Sequence, residues 1–163
     1  MTAEFEKAIA KYHGKLNLLP LPLVSWNVFS SNDLEISVFN SLQNQWKDKV
    51  TFESILLSKP KREIVITDAK FKIVFATHGI QQMNGYHPNE VMGKSPNMFQ
   101  GELTSETSKN NIRKALAKNL PFKEVILNYR KDGTVYHCEI EAYPKFDSSG
   151  KLVHYIAFER LAS

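Results

Sequence analysis

The chain has 163 residues, 42% hydrophobic and 23% charged, which is long enough to bury one sizeable core and too apolar for extended disorder. Its net charge of +4 is spread through Lys and Arg that alternate with Asp and Glu; nucleic-acid binding needs clustering on one surface, so a nucleic-acid partner is disfavoured. The single cysteine, Cys138, excludes an internal disulfide framework. With no apolar run of bilayer length and no signal-peptide pattern at the start, a cytoplasmic protein without a membrane partner is expected.

In chain order, Phe5, Ile9 and Tyr12 recur at helical spacing and Gly14 is placed to stop that helix. Leu19-Pro20-Leu21-Pro22-Leu23 cannot continue it, because proline lacks a backbone donor and disfavours helix in the residue before it. A second helix is expected with Asn32 as cap, Glu35 completing a capping-box-like pair, and Leu34, Val38, Leu42 and Trp46 as its apolar stripe. The character changes at Lys59-Pro60-Lys61-Arg62. Residues 1–60 therefore read as an N-terminal helical extension, a cap or a dimerisation element, and residues 61–163 as the main domain.

From Glu63 the order is strand, strand, short helices, a longer helix and three strands. Ile64-Val65-Ile66 and Ile73-Val74-Phe75 form β-type runs joined through Asp68-Ala69-Lys70. Ile80 and Met83 share a helical face, with Gly85 suited to a left-handed cap. The longer helix is expected to start near Thr104, with Glu106 in its first turn, and to turn Ile112, Ala115, Leu116 and Leu120 inward before Pro121. Strands follow at Phe122–Arg130, Thr134–Pro144 and Leu152–Arg160, joined by the turn-forming Lys131-Asp132-Gly133-Thr134 and Asp147-Ser148-Ser149-Gly150.

Alternation divides these last strands between two faces. Ile126, Asn128, Tyr136, Cys138, Ile140, Ala142, Tyr155, Ala157 and Glu159 fall on one; Val125, Leu127, Tyr129, Leu152, Ile156 and Phe158 fall on the other, interleaved with His137, Glu139 and Glu141. Both are too apolar for open solvent. The internal helices can cover only one, so the helix bearing Leu34, Val38, Leu42 and Trp46, or a second copy of the chain, is expected on the other.

No motif for nucleophilic catalysis or phosphate binding is present, and His13, His78, His87, His137 and His154 lack zinc spacing. His137 and Cys138 are adjacent on a strand and point to opposite faces, so they do not form one metal or redox site.

The order of elements, together with Phe75-Ala76-Thr77-His78-Gly79, Met83-Asn84-Gly85-Tyr86 and Asn89-Glu90-Val91-Met92-Gly93, resembles the PAS domain family over about residues 62–161. The resemblance implies an α+β fold: a five-stranded antiparallel sheet with helices on one face, here with the N-terminal helical extension. Two strings are similar to the light-oxygen-voltage (LOV) branch. They are Gly93-Lys94-Ser95-Pro96-Asn97-Met98-Phe99-Gln100-Gly101, beside that branch's G-x-N-C-R-F-L-Q-G, and Leu127-Asn128-Tyr129-Arg130-Lys131-Asp132-Gly133-Thr134.

The LOV branch implies flavin, yet Pro96 stands where its photoactive cysteine would be and has no thiol. Asn97 replaces the arginine that resembles a phosphate contact, Cys138 stands at an asparagine position and Glu159 at a glutamine position. Adduct photochemistry is excluded and flavin is disfavoured, leaving the cofactor unassigned. Gln100, Asn128, Cys138 and Glu159 form the candidate pocket; they either recognise a small-molecule ligand or hydrogen-bond one another in a filled core. An interior Glu159 needs a partner or a raised pKa, whereas an exposed one beside Arg160 needs neither. The expected function is a non-catalytic sensor or protein-interaction module acting through a signalling partner or a homodimer. The alternative is a flavin-binding photoreceptor or redox sensor that forms no cysteine adduct.

Overall fold

The structure, a computed structural model, describes residues 23–52 and 60–162, with side chains from residue 33 onward. The first expected helix and the Leu19–Pro22 segment lie outside the described residues. The chain divides into two compact units, Met1–Leu34 and Glu35–Ser163. The second holds the sheet and everything that follows.

Helix α1 runs from Leu23 to Gln43 and passes through Asn32 without a break. Asn32 therefore lies inside the helix and not at its start. Strands β1 (Glu63–Asp68) and β2 (Ile73–Ala76) form the expected hairpin, and short helices α2 (Ile80–Asn84) and α3 (Pro88–Val91) follow. A 3₁₀ turn at Pro96–Phe99 leads to α4 (Glu106–Ala117), and β3 (Phe122–Tyr129), β4 (Val135–Phe146) and β5 (Leu152–Leu161) complete the sheet. The strand order is β2-β1-β5-β4-β3, with every pairing antiparallel.

Two apolar layers sandwich this sheet. On one side Val65, Ile73, Ile126, Tyr136 and Cys138 pack with Ile80, Met83, Val91 and Phe99 from the helices. On the other, Phe39, Trp46 and Phe52 cover Ile64, Ile66, Phe75 and Ile156. Phe39 has its ring centroid 4.8 Å from Phe52, 5.8 Å from Trp46 and 5.9 Å from Phe75. Each such buried ring removes apolar surface worth about 1.5–3 kcal/mol from water.

The buried face of α1 differs from the expected stripe. Leu34 is 63% and Val38 39% exposed, whereas Glu35, Phe39 and Gln43 are buried. Phe39 offers a larger apolar surface to the sheet, and two polar residues flank it because each has a partner. Glu35 Oε1 accepts the His78 backbone N–H at 2.6 Å and also meets His78 Nδ1, while Gln43 Oε1 accepts the Val50 N–H at 3.1 Å. Trp46 lies beyond the end of α1.

The β3–β4 half of the outer face carries ion pairs instead. Lys123 and Arg160 flank Glu139 at 3.1 and 2.7 Å, and Arg62 meets Glu141 at 2.6 Å. Hydrogen bonds from Arg160 and then Lys123 hold the Glu139 carboxyl down at about 2.

Two smaller differences concern α4. Ser105, not Thr104, is its cap, its hydroxyl accepting the Ser108 N–H at 3.4 Å. Thr104 is buried; its hydroxyl donates to Leu127 O at 2.8 Å and accepts the Gly101 N–H at 2.9 Å. The helix stops at Ala117 and Asn119 takes φ 52°, so Leu120 points out, 51% exposed.

Candidate ligand cavity beneath the sheet

Between the inner sheet face and α4 lies a cavity of about 110 Å³. Its apolar wall includes Val65, Phe99, Ile112, Leu116, Phe122, Ile126 and Ile140, and its polar groups are Thr67, Asn97, Gln100, Asn128, Tyr155 and Glu159. Of the four candidate pocket residues, Gln100, Asn128 and Glu159 line this one cavity. Cys138 is not on the cavity wall; it lies behind Glu159, its thiol 3.7 Å from Glu159 Oε2.

Each polar group arrives by a simple local rule. Gly93 N–H donates to Ile73 O at 2.8 Å and Ile73 N–H to Lys94 O at 2.9 Å, which pins the Gly93–Gly101 string beside β2. Pro96 then opens the 3₁₀ turn, where its fixed φ is favourable and its missing N–H costs nothing, and Gln100 caps the end. Gly101 lies so close to the Tyr129 ring that a Cβ would stand 2.5 Å from it. Tyr129, placed on the outer face by alternation, accepts the Leu103 N–H at 2.9 Å through its hydroxyl.

Residues of β5 alternate across the sheet: Tyr155, Ala157 and Glu159 face the cavity, while Ile156 and Phe158 belong to the outer cluster. Glu159 is therefore interior, 6% exposed, and not beside Arg160 in solvent. Burial pushes its carboxyl up to about 7; the Cys138 thiol opposes that, and the Glu63 carboxylate, its cross-strand neighbour, adds to it. Burial, then the Glu159 charge, raises the Cys138 thiol well above its ordinary range, which leaves it a poor nucleophile.

Other groups of this region were not singled out by the sequence. Glu63 is buried against Gly79 and accepts the Thr77 hydroxyl at 2.6 Å. Among the described residues the buried Tyr155 hydroxyl has no hydrogen-bond partner, and the Tyr136 hydroxyl lies near Asn128 and Asn84 without bonding geometry to either. At the mouth, Phe71 takes φ 58°, a rare conformation for an aromatic residue, in a turn tied by Asp68 Oδ1 to the Lys70 and Lys72 N–H groups. Its ring lies 5.9 Å from that of Tyr155. Only the strained φ was beyond sequence reading; the alternation of β5 already pointed Tyr155 inward.

A family profile for the PAS domain matches residues 62–160. The chain belongs to the PAS domain family. It is 32% identical over 106 residues to phototropin-2 of Oryza sativa subsp. japonica, covering 63% of this chain and 12% of that protein. It is 28% identical over 93 residues to the bacterioopsin transcriptional activator of Halobacterium salinarum, covering 57% of this chain and 14% of that protein. Both matches thus span under a sixth of the relative. Among solved structures, the dark structure of the blue-light photoreceptor Aureochrome1 LOV superposes with a TM-score of 0.63 at 28% identity, covering 72% of this chain and 87% of that one. This is a PAS sensor module with a LOV-like fold. Among the described residues no helix is long and apolar enough to cross a membrane.

The residues present do not fit the flavin that a LOV likeness implies. A space of about 110 Å³ is well below the roughly 300–1,000 Å³ of pockets for larger ligands and below even the roughly 150 Å³ cavity that accepts a single benzene. An ionised Glu159 on its wall offers acceptors alone.

Proposed function

We propose that this PAS domain is a non-catalytic sensor whose interior cavity is read on the opposite sheet face by residues 35–52. The observation that carries this reading is the alternation of β5, which puts Tyr155, Ala157 and Glu159 on the cavity and His154, Ile156 and Phe158 against the segment bearing Phe39 and Trp46. A shift of β5 by a fraction of an ångström moves both layers, because packed cores rearrange as units. Catalysis is not part of the proposal: Cys138 is a buried high-pKa thiol, and Glu159 has no orienting group beside a nucleophile.

In this reading residues 1–60 belong to the working unit of a cytoplasmic protein, and output passes to a signalling partner or a second copy across the outer face. That face leaves Val125 and Tyr143 exposed. The test uses Trp46 emission in a Trp26→Phe background. Crowding the cavity from the far wall with Ile112→Phe is expected to shift Trp46 emission; an unchanged spectrum in a folded protein overturns the relay. Removing residues 1–60 is expected to lower the melting temperature or cause aggregation, and an undiminished melting temperature refutes the covering role.

A further inference from the structure

The cavity has a one-sided electrostatic character. Among the described residues Glu159 is its only acidic wall residue, and no Lys, Arg or His lines it. The carboxylate is buried, and its one hydrogen-bond contact is a weak thiol at 3.7 Å. Buried carboxylates are normally paired or bonded several times, because an uncompensated one is costly. The Tyr155 hydroxyl, which comes from the same cavity wall, also lacks a partner among the described residues.

Around these groups stand four aromatic rings, Phe71, Phe99, Phe122 and Tyr155. Aromatic faces attract cations, and more strongly where water is excluded. Lys109 and Arg113 line a neighbouring groove and pair there with Glu106, Arg113 at 3.8 Å, while Lys61 and Arg160, which share a second pocket with Glu159, pair with Glu63 and with Glu139 at 2.7 Å. On the strand next to Glu159, the Glu63 carboxylate meets the Thr77 hydroxyl at 2.6 Å and Lys61 at 3.2 Å, so it draws no positive charge into the cavity.

We propose that the cavity takes a compact organic cation smaller than a substituted aromatic ring, a short amidinium or alkylammonium, with Glu159 as its counter-ion and the Phe71, Phe99, Phe122 and Tyr155 rings lining the space about it. The inference rests on the sensor reading above and gives it a ligand class. Volume sets the size limit, the carboxylate sets the charge, and the orphan Tyr155 hydroxyl adds a hydrogen-bond position. An anion of equal size is rejected, since it places two like charges in a space that no described basic group lines.

The experiment is calorimetric titration of the full chain with acetamidinium and with acetate, repeated on Glu159→Gln. Acetamidinium is expected to bind and acetate to bind at least tenfold more weakly. Glu159→Gln is expected to lose at least tenfold in acetamidinium affinity while melting no lower than the parent, because it keeps the shape and removes an unpaired buried charge. Equal binding of the two ions, binding unaffected by Glu159→Gln, or no acetamidinium binding overturns the proposal. Any of these with an intact Trp46 response to Ile112→Phe removes the cation and leaves the sensor. Loss of the Trp46 response removes the relay itself.

Discussion

The Trp46 indole N–H donates to His154 Nδ1 over 2.9 Å in a buried position, joining the segment after α1 to β5. Lys145, paired with His154 across β4 and β5, places its ammonium 5.2 Å from the Trp46 ring centroid and bonds Asp48 O at 3.3 Å. Asp68 is the neighbour on the other side, in β1. His154 must present a bare Nδ1 to accept that proton, so the bond exists only with a neutral ring.

Burial lowers the His154 pKa, opposed by the Asp68 charge. The native state then binds fewer protons than the unfolded chain just below the unfolded value of about 6.5. The contribution is whole above that value and is lost as pH falls below it. His154→Asn retains an acceptor that cannot protonate. Its stability at pH 5.5, relative to pH 7.5, is expected to exceed that of the parent when urea midpoints are compared.

Glu159 acts in the opposite sense. With a folded value of about 7 against about 4.3 unfolded, the native state binds more protons, so stability is full below the unfolded value and falls as pH rises through the folded one. The loss reaches about 3–4 kcal/mol at most. Glu159→Gln is expected to be more stable than the parent at pH 8, with the gain vanishing near pH 4.5. A constant difference between pH 4.5 and 8 contradicts an unpaired interior carboxyl.

Phe39 is fully buried, whereas Val38 is 39% exposed. Phe39→Ala is expected to cost about 3–5 kcal/mol and Val38→Ala to stay within about 0.5 kcal/mol of the parent, measured by chemical denaturation. The reverse order would restore the stripe of Leu34, Val38, Leu42 and Trp46.

Two glycines of the Gly93–Gly101 string separate conformational from steric demand. Gly93 has φ 74° and open space around it, while a Cβ on Gly101 collides with the Tyr129 ring. Gly93→Ala is expected to cost about 1 kcal/mol and Gly101→Ala about 1–3 kcal/mol. Only the second should disturb the Leu103 N–H bond to Tyr129, read by hydrogen exchange.

Much of this molecule is legible in its sequence because strand periodicity is strict. The β-turns around Gly133 and Gly150 fix the meander, and alternation alone sends Asn128, Tyr155 and Glu159 to one face. The helices were less legible. The stripe through Leu34 was drawn by hydrophobicity, but the packed face of α1 is organised around Phe39, with Glu35 admitted because His78, 43 residues later in the chain, supplies its partner. The same holds at Thr104, whose hydroxyl is taken by Leu127 O across 23 residues and not by its own helix. Long-range hydrogen bonds of this kind leave no local signature.

The most direct test of the sensor reading is hydrogen exchange of residues 35–52 and 62–66 in the parent and in Ile112→Phe. A severalfold change in exchange across the covering segment, on the far side of the sheet from the substitution, is the expected result. A change confined to residues lining the cavity would show that the two layers are independent and contradict the relay through β5.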